Sequence, residues 1–191
     1  MESNYLIIID MQNDFLEGGA LPVVGDTNKL VRDINRLQEE FDENYIYYTL
    51  DTHDNQYLES REGRYLPIPH CIDGTNGVEL HPNLKVYNID NMIVKGHFGS
   101  EKLCKRLRES VVFDFGGQTI YNPPKINFYF CGVATDICVL CNVIMAYNMI
   151  GSANIHIFED LCLGTTLENH NKAIDIMKNL GVKIISYNKE D

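Results

Sequence analysis

The sequence predicts an α/β fold built on a mainly parallel sheet. Short runs rich in aliphatic and aromatic residues recur along the chain and end at polar residues, the pattern of strands buried on both faces. Segments with a 3.6-residue apolar period lie between most of them. The order is strand, helix, strand, long loop, strand, then helix and strand three times over. Such alternation calls for parallel strands joined by right-handed crossovers. With 191 residues, no repeat and no linker-like tract, one domain over 1–191 is expected.

The elements follow in order. "YLIIID" (5–10) is a continuous apolar run that stops at Asp10. "TNKLVRDINRLQEEF" (27–41) puts Leu30, Val31, Ile34, Leu37 and Phe41 on one helical face. "NYIYYTL" (44–50) has the aromatic and β-branched content of a strand. From Asp51 to about Asn88 there is little periodicity, and a loop of that length inside a compact domain is usually functional. "NMIVK" (91–95) reads as a strand. "GSEKLCKRLRE" (99–109) reads as a helix with Leu103 and Leu107 inward. "INFYFCGV" (126–133) is a strand, and the nearly all-apolar "TDICVLCNVIMAYNMIG" (135–151) is a helix. "NIHIFED" (154–160) is a strand. "TLENHNKAIDIMKNLG" (166–181) is a helix turned inward through Leu167, Ile174, Met177 and Leu180, with Gly181 as its C-terminal stop. "VKIIS" (182–186) closes the series.

Composition narrows the function classes. The net charge is −11, with no dense basic block, so a phosphate backbone or an anionic membrane surface is not an expected partner. No apolar run reaches the length of a membrane span. The start "MESNYLIIID" lacks the basic region and cleavage site of a secretory leader, so a cytoplasmic protein is expected. The six cysteines are expected to be reduced thiols, because disulfide frameworks belong to short secreted chains.

In parallel sheets, ligands bind beyond the carboxyl ends of the strands. Asp10 stands after the first strand, Asp51 and His53 after the second, Lys95 at the end of the third, and "GVATDIC" after the fourth. The pair Cys138 and Cys141 offers a redox couple, half a metal site, or one working thiol. Thr135 or Asp136 is placed to cap the following helix. Cys138 then falls in its first turn, where free amides and the dipole favour a thiolate, and Lys95 would lower the pKa further. Asp10 suits the base that takes the thiol proton and later passes it to a leaving amine. Backbone N–H groups of Cys138 and of the Val133–Thr135 turn suit an oxyanion. Taken singly, Asp10 reads as a turn cap, Lys95 as solvated and Cys138 as packing. Their joint placement at three strand ends favours an acyl-transfer site. A redox couple fits less well, because Cys138 is already inside the helix and Cys141 sits among Val139, Leu140, Val143 and Ile144, where burial is expected. A structural zinc site needs four ligands.

Asp51 and His53, two apart in an extended segment, point to one side, and His70 arrives from the long loop. One carboxylate and two imidazoles suit Zn²⁺ or another divalent transition metal with positions open for a ligand. Glu62 is a candidate fourth ligand. Phe15 lies near the same crevice and is placed to stack on a flat ring.

Together these pieces resemble the isochorismatase-like cysteine hydrolases, and within them the nicotinamidases. The resemblance rests on "LIIIDMQNDFLEGGALPV", "DTH", "PHCIDGTNGVELHP", "VKG" and "GVATDICV" and spans nearly the whole chain. It implies a three-layer, doubly wound (Rossmann-like) fold with a six-stranded sheet and helices on both faces. It implies a catalytic triad of Asp10, Lys95 and Cys138, and a cis peptide before Ala134 that aims the oxyanion-hole amides of Ala134 and Cys138. The D-x-H motif with a later His favours nicotinamidase: hydrolysis of nicotinamide to nicotinate and ammonia through a Cys138 thioester, with the metal holding the pyridine nitrogen. Such proteins are often oligomers, so a homo-oligomer is expected. Two features depart from the pattern. The chain has no Trp, where nicotinamidases often carry one just before the third metal ligand. The "GHFGSEKL" segment after Lys95 is short. The alternatives are a family hydrolase acting on another small amide or on isochorismate, and a thiol redox or binding protein using Cys138 and Cys141.

Overall fold

A computed structural model describes residues 3–115, 118–121, 126–150 and 153–187. Its strands are β1 (Ser3–Ile9), β2 (Ile46–Asp51), β3 (Met92–Lys95), β4 (Val112–Phe115), β5 (Gln118–Tyr121), β6 (Ile126–Val133), β7 (Asn154–Leu163) and β8 (Lys183–Ile185). Its helices are α1 (Thr27–Gln38), α2 (Arg61–Tyr65), α3 (Glu101–Val111), α4 (Leu140–Met149) and α5 (Leu167–Asn179). The main sheet has six strands in the order β3-β2-β1-β6-β7-β8, and every pairing in it is parallel. Helices α3, α4 and α5 lie side by side, with α4 touching both neighbours, and α1 packs against β7.

The apolar pattern explains the layering. In β1, Leu6, Ile7, Ile8 and Ile9 are all buried. Each contributes about 1.5–3 kcal/mol relative to an exposed position, which anchors the centre of the sheet. On α1, Leu30, Val31, Ile34 and Leu37 are buried as their period predicts, and the Asp26 carboxylate caps the helix by accepting from the Lys29 amide at 2.7 Å. On α5 the inward face is Ala173, Ile174 and Met177. Leu167 and Leu180, expected on that face, stand at the two ends of the helix and are exposed. Gly181 has a φ of 90°, as a C-terminal stop requires.

Three elements differ from the sequence expectation. The segment 135–151 is not one α-helix: Thr135–Val139 is a π-helical turn, and α4 begins at Leu140. The long loop contains the short helix α2, whose cap is Ser60 accepting from the Gly63 amide at 2.9 Å. β4 and β5 form a separate antiparallel pair where no strand is expected; their run of mixed polarity gives no clear period.

The chain runs outward from β1 through β2 to β3, then returns to the other side of β1 for β6, β7 and β8. The reversal falls between β1 and β6, and a crevice opens beyond the carboxyl ends of those two strands. Gly132 makes their close approach possible. Its φ is 114°, and a Cβ at this position would lie 2.2 Å from the Ile9 carbonyl oxygen. Gly132→Ala is therefore expected to lower stability by about 2–5 kcal/mol through strain and overpacking. Gly74, also left-handed at a φ of 76° but facing open space, is expected to lose only about 1 kcal/mol as Ala. Urea unfolding midpoints compare the two; equal losses would show that contact with Ile9 is unimportant.

Candidate active site

Four strand ends meet in the crevice. Asp10 follows β1 with a φ of 48°, a conformation uncommon for residues other than Gly. Two bonds from β2 hold its carboxylate and backbone: Thr49 Oγ1 donates to Asp10 Oδ1 at 2.6 Å, and the Asp10 amide donates to the Thr49 carbonyl at 3.2 Å. Lys95 ends β3. Its Nζ lies 2.7 Å from Asp10 Oδ2, 3.5 Å from Cys138 Sγ and 3.4 Å from Asp51 Oδ1. All four side chains are buried. The sequence-predicted triad and a predicted metal ligand thus share one cation.

Cys138 lies in the π-helical turn rather than in the first turn of an α-helix. Neither Thr135 nor Asp136 caps that turn. Thr135 Oγ1 is 2.9 Å from His170 Nδ1, and Asp136 accepts from the amide and hydroxyl of Thr165, so both side chains tie the turn to the start of α5 instead. The wider π coil faces Cys138 into the crevice. Asn142 secures the next turn, donating to the Cys138 carbonyl at 2.8 Å and to the Phe98 carbonyl at 3.0 Å. The peptide bond between Val133 and Ala134 is cis, as the resemblance implies. Cys138 and Cys141 are both free thiols. Cys141, expected to be buried, is only half-buried.

The electrostatics correct one expectation. Burial pushes the Cys138 thiol well above its ordinary value; the Lys95 charge opposes this, and the Asp10 and Asp51 carboxylates reinforce it. The sulfur at rest is a thiol, not the thiolate expected from a helix dipole. Burial also raises Asp10, against the pull of Lys95. Burial works against the charge on Lys95, yet Asp10, Cys138 and Asp51 outweigh it and keep the ammonium. Asp10 and Cys138 thus lie beside a fixed positive charge in a space whose burial biases both toward their protonated forms.

The second cluster is Asp51, His53, Glu62 and His70, whose ligand atoms all lie within 4.8 Å of one another. Asp51 Oδ2 is 3.1 Å from His53 Nε2 and 3.7 Å from His70 Nε2. His70 Nδ1 is 2.9 Å from the Ile68 carbonyl. A carbonyl only accepts, so Nδ1 carries the hydrogen, which leaves Nε2 as the nitrogen facing the cluster and able to ligate when the ring is neutral. Glu62, from α2, reaches His53 Nε2 at 3.7 Å and His70 Nε2 at 3.6 Å. Its buried Oε1 makes no hydrogen bond among the described residues. Burial, then the nearby Asp51 charge, raises the Glu62 carboxyl. Two carboxylates and two imidazoles converging in a buried space, one oxygen without a partner, fit a divalent transition metal. Glu62 joins the three ligands expected from the sequence motifs.

A cavity of about 440 Å³ joins the two clusters. Asp51, His70, Ala134 and Cys138 lie on its lining, and Phe15, Leu66, Ile68, Phe98 and Thr165 form walls. Leu66 and Ile68 stand in the stretch before His70 that holds no Trp. Thr49, Leu66, Phe98 and Asn142 were not legible as site residues. Thr49 is an interior strand position and Asn142 a polar break in an apolar helix; that break was the one available signal.

The isochorismatase domain family matches residues 4–189, and the chain belongs to that family. Among characterised relatives, it is 27% identical to the nicotinamidase/pyrazinamidase of Mycobacterium tuberculosis, over 94% of this chain and 97% of that one. Among solved structures, it superposes on PnC1 from L. infantum in complex with nicotinate, with a TM-score of 0.78, 26% identity, and coverage of 97% and 93% of the two chains. It also superposes on the pyrazinamidase of Pyrococcus horikoshii in complex with zinc, with a TM-score of 0.74, 28% identity, and coverage of 97% and 99%.

Because burial keeps the resting sulfur protonated, alkylation of Cys138 by iodoacetamide is expected to be slow at neutral pH and still rising above pH 9.0. Mass mapping of the modified peptide against pH measures it. A rate that levels off near neutrality would mean a preformed thiolate.

Proposed function

We propose that this protein is a metal-containing amidohydrolase that converts nicotinamide and water to nicotinate and ammonia through a Cys138 thioester. The observation that carries the reading is the position of Lys95, whose Nζ bridges Asp10, Cys138 and Asp51 within 2.7–3.5 Å. It joins a nucleophile, a base and a ligand cluster at one cavity. Nicotinamidases in the same family support the choice of amide.

The chain's own residues divide the chemistry as follows. Asp10 takes the Cys138 proton, and the sulfur attacks the amide carbonyl carbon. Lys95 holds its charge beside both groups, so the proton transfer does not leave two unscreened anions in a buried site. The amides of Ala134 and Cys138 bind the oxygen that becomes anionic. Asp10 returns the proton to the leaving nitrogen, ammonia departs, and the carbonyl remains bonded to sulfur. Water then attacks the thioester, Asp10 takes its proton, and the C–S bond breaks. Asp10 passes that proton to the Cys138 sulfur, and the acid's own proton goes to ammonia or solvent, so the product leaves as its anion and the enzyme returns to its starting state. Phe15 lies against the ring. Asp51, His53, Glu62 and His70 would hold the metal, taken to be Zn²⁺, which when bound would supply a Lewis acid for the ring nitrogen. A second reading, another small amide within the same family, has one observation in its favour: the wall at Leu66 and Ile68 is aliphatic rather than a flat aromatic.

Purified protein is expected to release ammonia from nicotinamide, and Cys138→Ala to lose at least about 10³-fold in kcat, because a nucleophile is removed outright. Asp10→Asn should fall comparably. Wild-type turnover in Cys138→Ala would sink the thioester. A panel of aromatic and aliphatic amides, ranked by kcat/KM, separates the two readings. Dialysis against a chelator is expected to abolish activity, one equivalent of Zn²⁺ to restore it, and His53→Ala/His70→Ala to hold no metal by elemental analysis.

A further inference from the structure

Asp10, Gln12 and Asp14 alternate along the loop that follows β1. Asp10 faces the nucleophile; the other two face the backbone that carries the metal ligands. Gln12 is fully buried. Its Nε2 donates to the carbonyls of Asp51 and Val78, each at 2.7 Å, and its Oε1 accepts from the Asp51 amide at 2.7 Å. One side chain therefore grips both backbone polar groups of a metal ligand and ties them to the loop beyond His70.

Asp14 does the same for the two histidines. Its Oδ2 accepts from the Cys71 amide at 2.7 Å, which fixes the peptide between His70 and Cys71. The Cys71 carbonyl in turn accepts from the His53 amide at 2.9 Å. Cys71 is fully buried with a φ of 46°, a left-handed conformation that a Cβ disfavours, so it persists only where its surroundings dictate it. The bonds on its N–H and C=O supply that. Gly77 leaves the space this needs: a Cβ there would lie 2.0 Å from Asp14 Oδ2.

We infer that Gln12 and Asp14 are positioning residues for the metal centre. By holding the backbone of Asp51 and of Cys71, they fix the directions of Asp51, His53 and His70 and so set the affinity for the divalent ion. The loop bearing the general base thereby also determines whether the metal is held. The inference rests on the proposed metal site. Neither residue touches the substrate cavity, so their effect passes through the ligands. Partners that orient metal ligands typically govern affinity by 10–100-fold.

The test is Zn²⁺ affinity of the metal-free protein, measured by competition with a chromophoric chelator, with thermal unfolding of the same samples recorded. Asp14→Ala is expected to bind Zn²⁺ about 10–100-fold more weakly. Asp14→Asn, which keeps an oxygen for the Cys71 amide, should return close to the wild-type value. Leu37→Ala, a core truncation on α1 remote from the site, should unfold at lower temperature with unchanged Zn²⁺ affinity. Wild-type affinity in Asp14→Ala, or an equal loss in Leu37→Ala, would overturn the inference. Should Asp14→Ala not fold, the same criterion passes to Gln12→Met, which keeps the volume and removes all three hydrogen bonds. Wild-type protein that does not bind Zn²⁺ would remove the metal site itself; normal wild-type binding with unaffected variants would remove only the roles of Gln12 and Asp14.

Discussion

Lys95 is a buried ammonium held between two carboxylates and a thiol, and the rest of the site is arranged to keep it there. A charge in such surroundings is tolerated only when it is paired and hydrogen-bonded. Removing one partner of a buried pair typically costs about 3–5 kcal/mol. Asp10 gives the short contact, and Thr49 orients Asp10 from the neighbouring strand. Asp51 gives the longer contact and links the cation to the imidazoles. Burial, reinforced by the Asp10 and Asp51 carboxylates, biases the proposed nucleophile toward its protonated form despite the Lys95 charge.

Three strands have to end at the same height for this cation to reach all its partners. Parallel registry provides that. Ile8 pairs with both Tyr48 and Cys131, and Asp51 pairs directly with Lys95. Burial of β1 and β6 on both faces does not by itself set this registry; the polar residues at the strand ends, Asp10, Asp51 and Lys95, meet only in this one. Gly132 then lets β6 pass close to Ile9, and the chain turns through Ala134 into the π coil that presents Cys138. Asp136 braces that coil against the β7–α5 connection, and Thr135 braces it against α5 itself.

The ligand cluster is built on a different plan. Asp51 is fixed by the sheet. His53 and His70 stand on loops paired to each other through Cys71 and Asp73, and Glu62 comes from a five-residue helix. Tyr57 packs against both imidazoles, 4.7 Å from His53 and 4.9 Å from His70 between ring centroids. Loops of this kind need anchors, and Gln12 and Asp14 provide them from the far side.

The sequence by itself determined the order of the six strands of the main sheet and of the helices α1, α3, α4 and α5 between them, the parallel sheet, and the residues at its carboxyl edge. Those follow from local apolar periodicity and from the rule that open sheets bind ligands at that edge. It also pointed to Asp10, Lys95 and Cys138 by their place at strand ends, and to Asp51, His53 and His70 by the D-x-H spacing and the later His. The protonation of Cys138, the π-helical turn, the half-exposure of Cys141, the place of Glu62 and the anchoring by Thr49, Gln12 and Asp14 were decided only in three dimensions. Each depends on which groups far apart in the chain share a buried volume. Burial and charge proximity act through space, and no local pattern in the sequence records them.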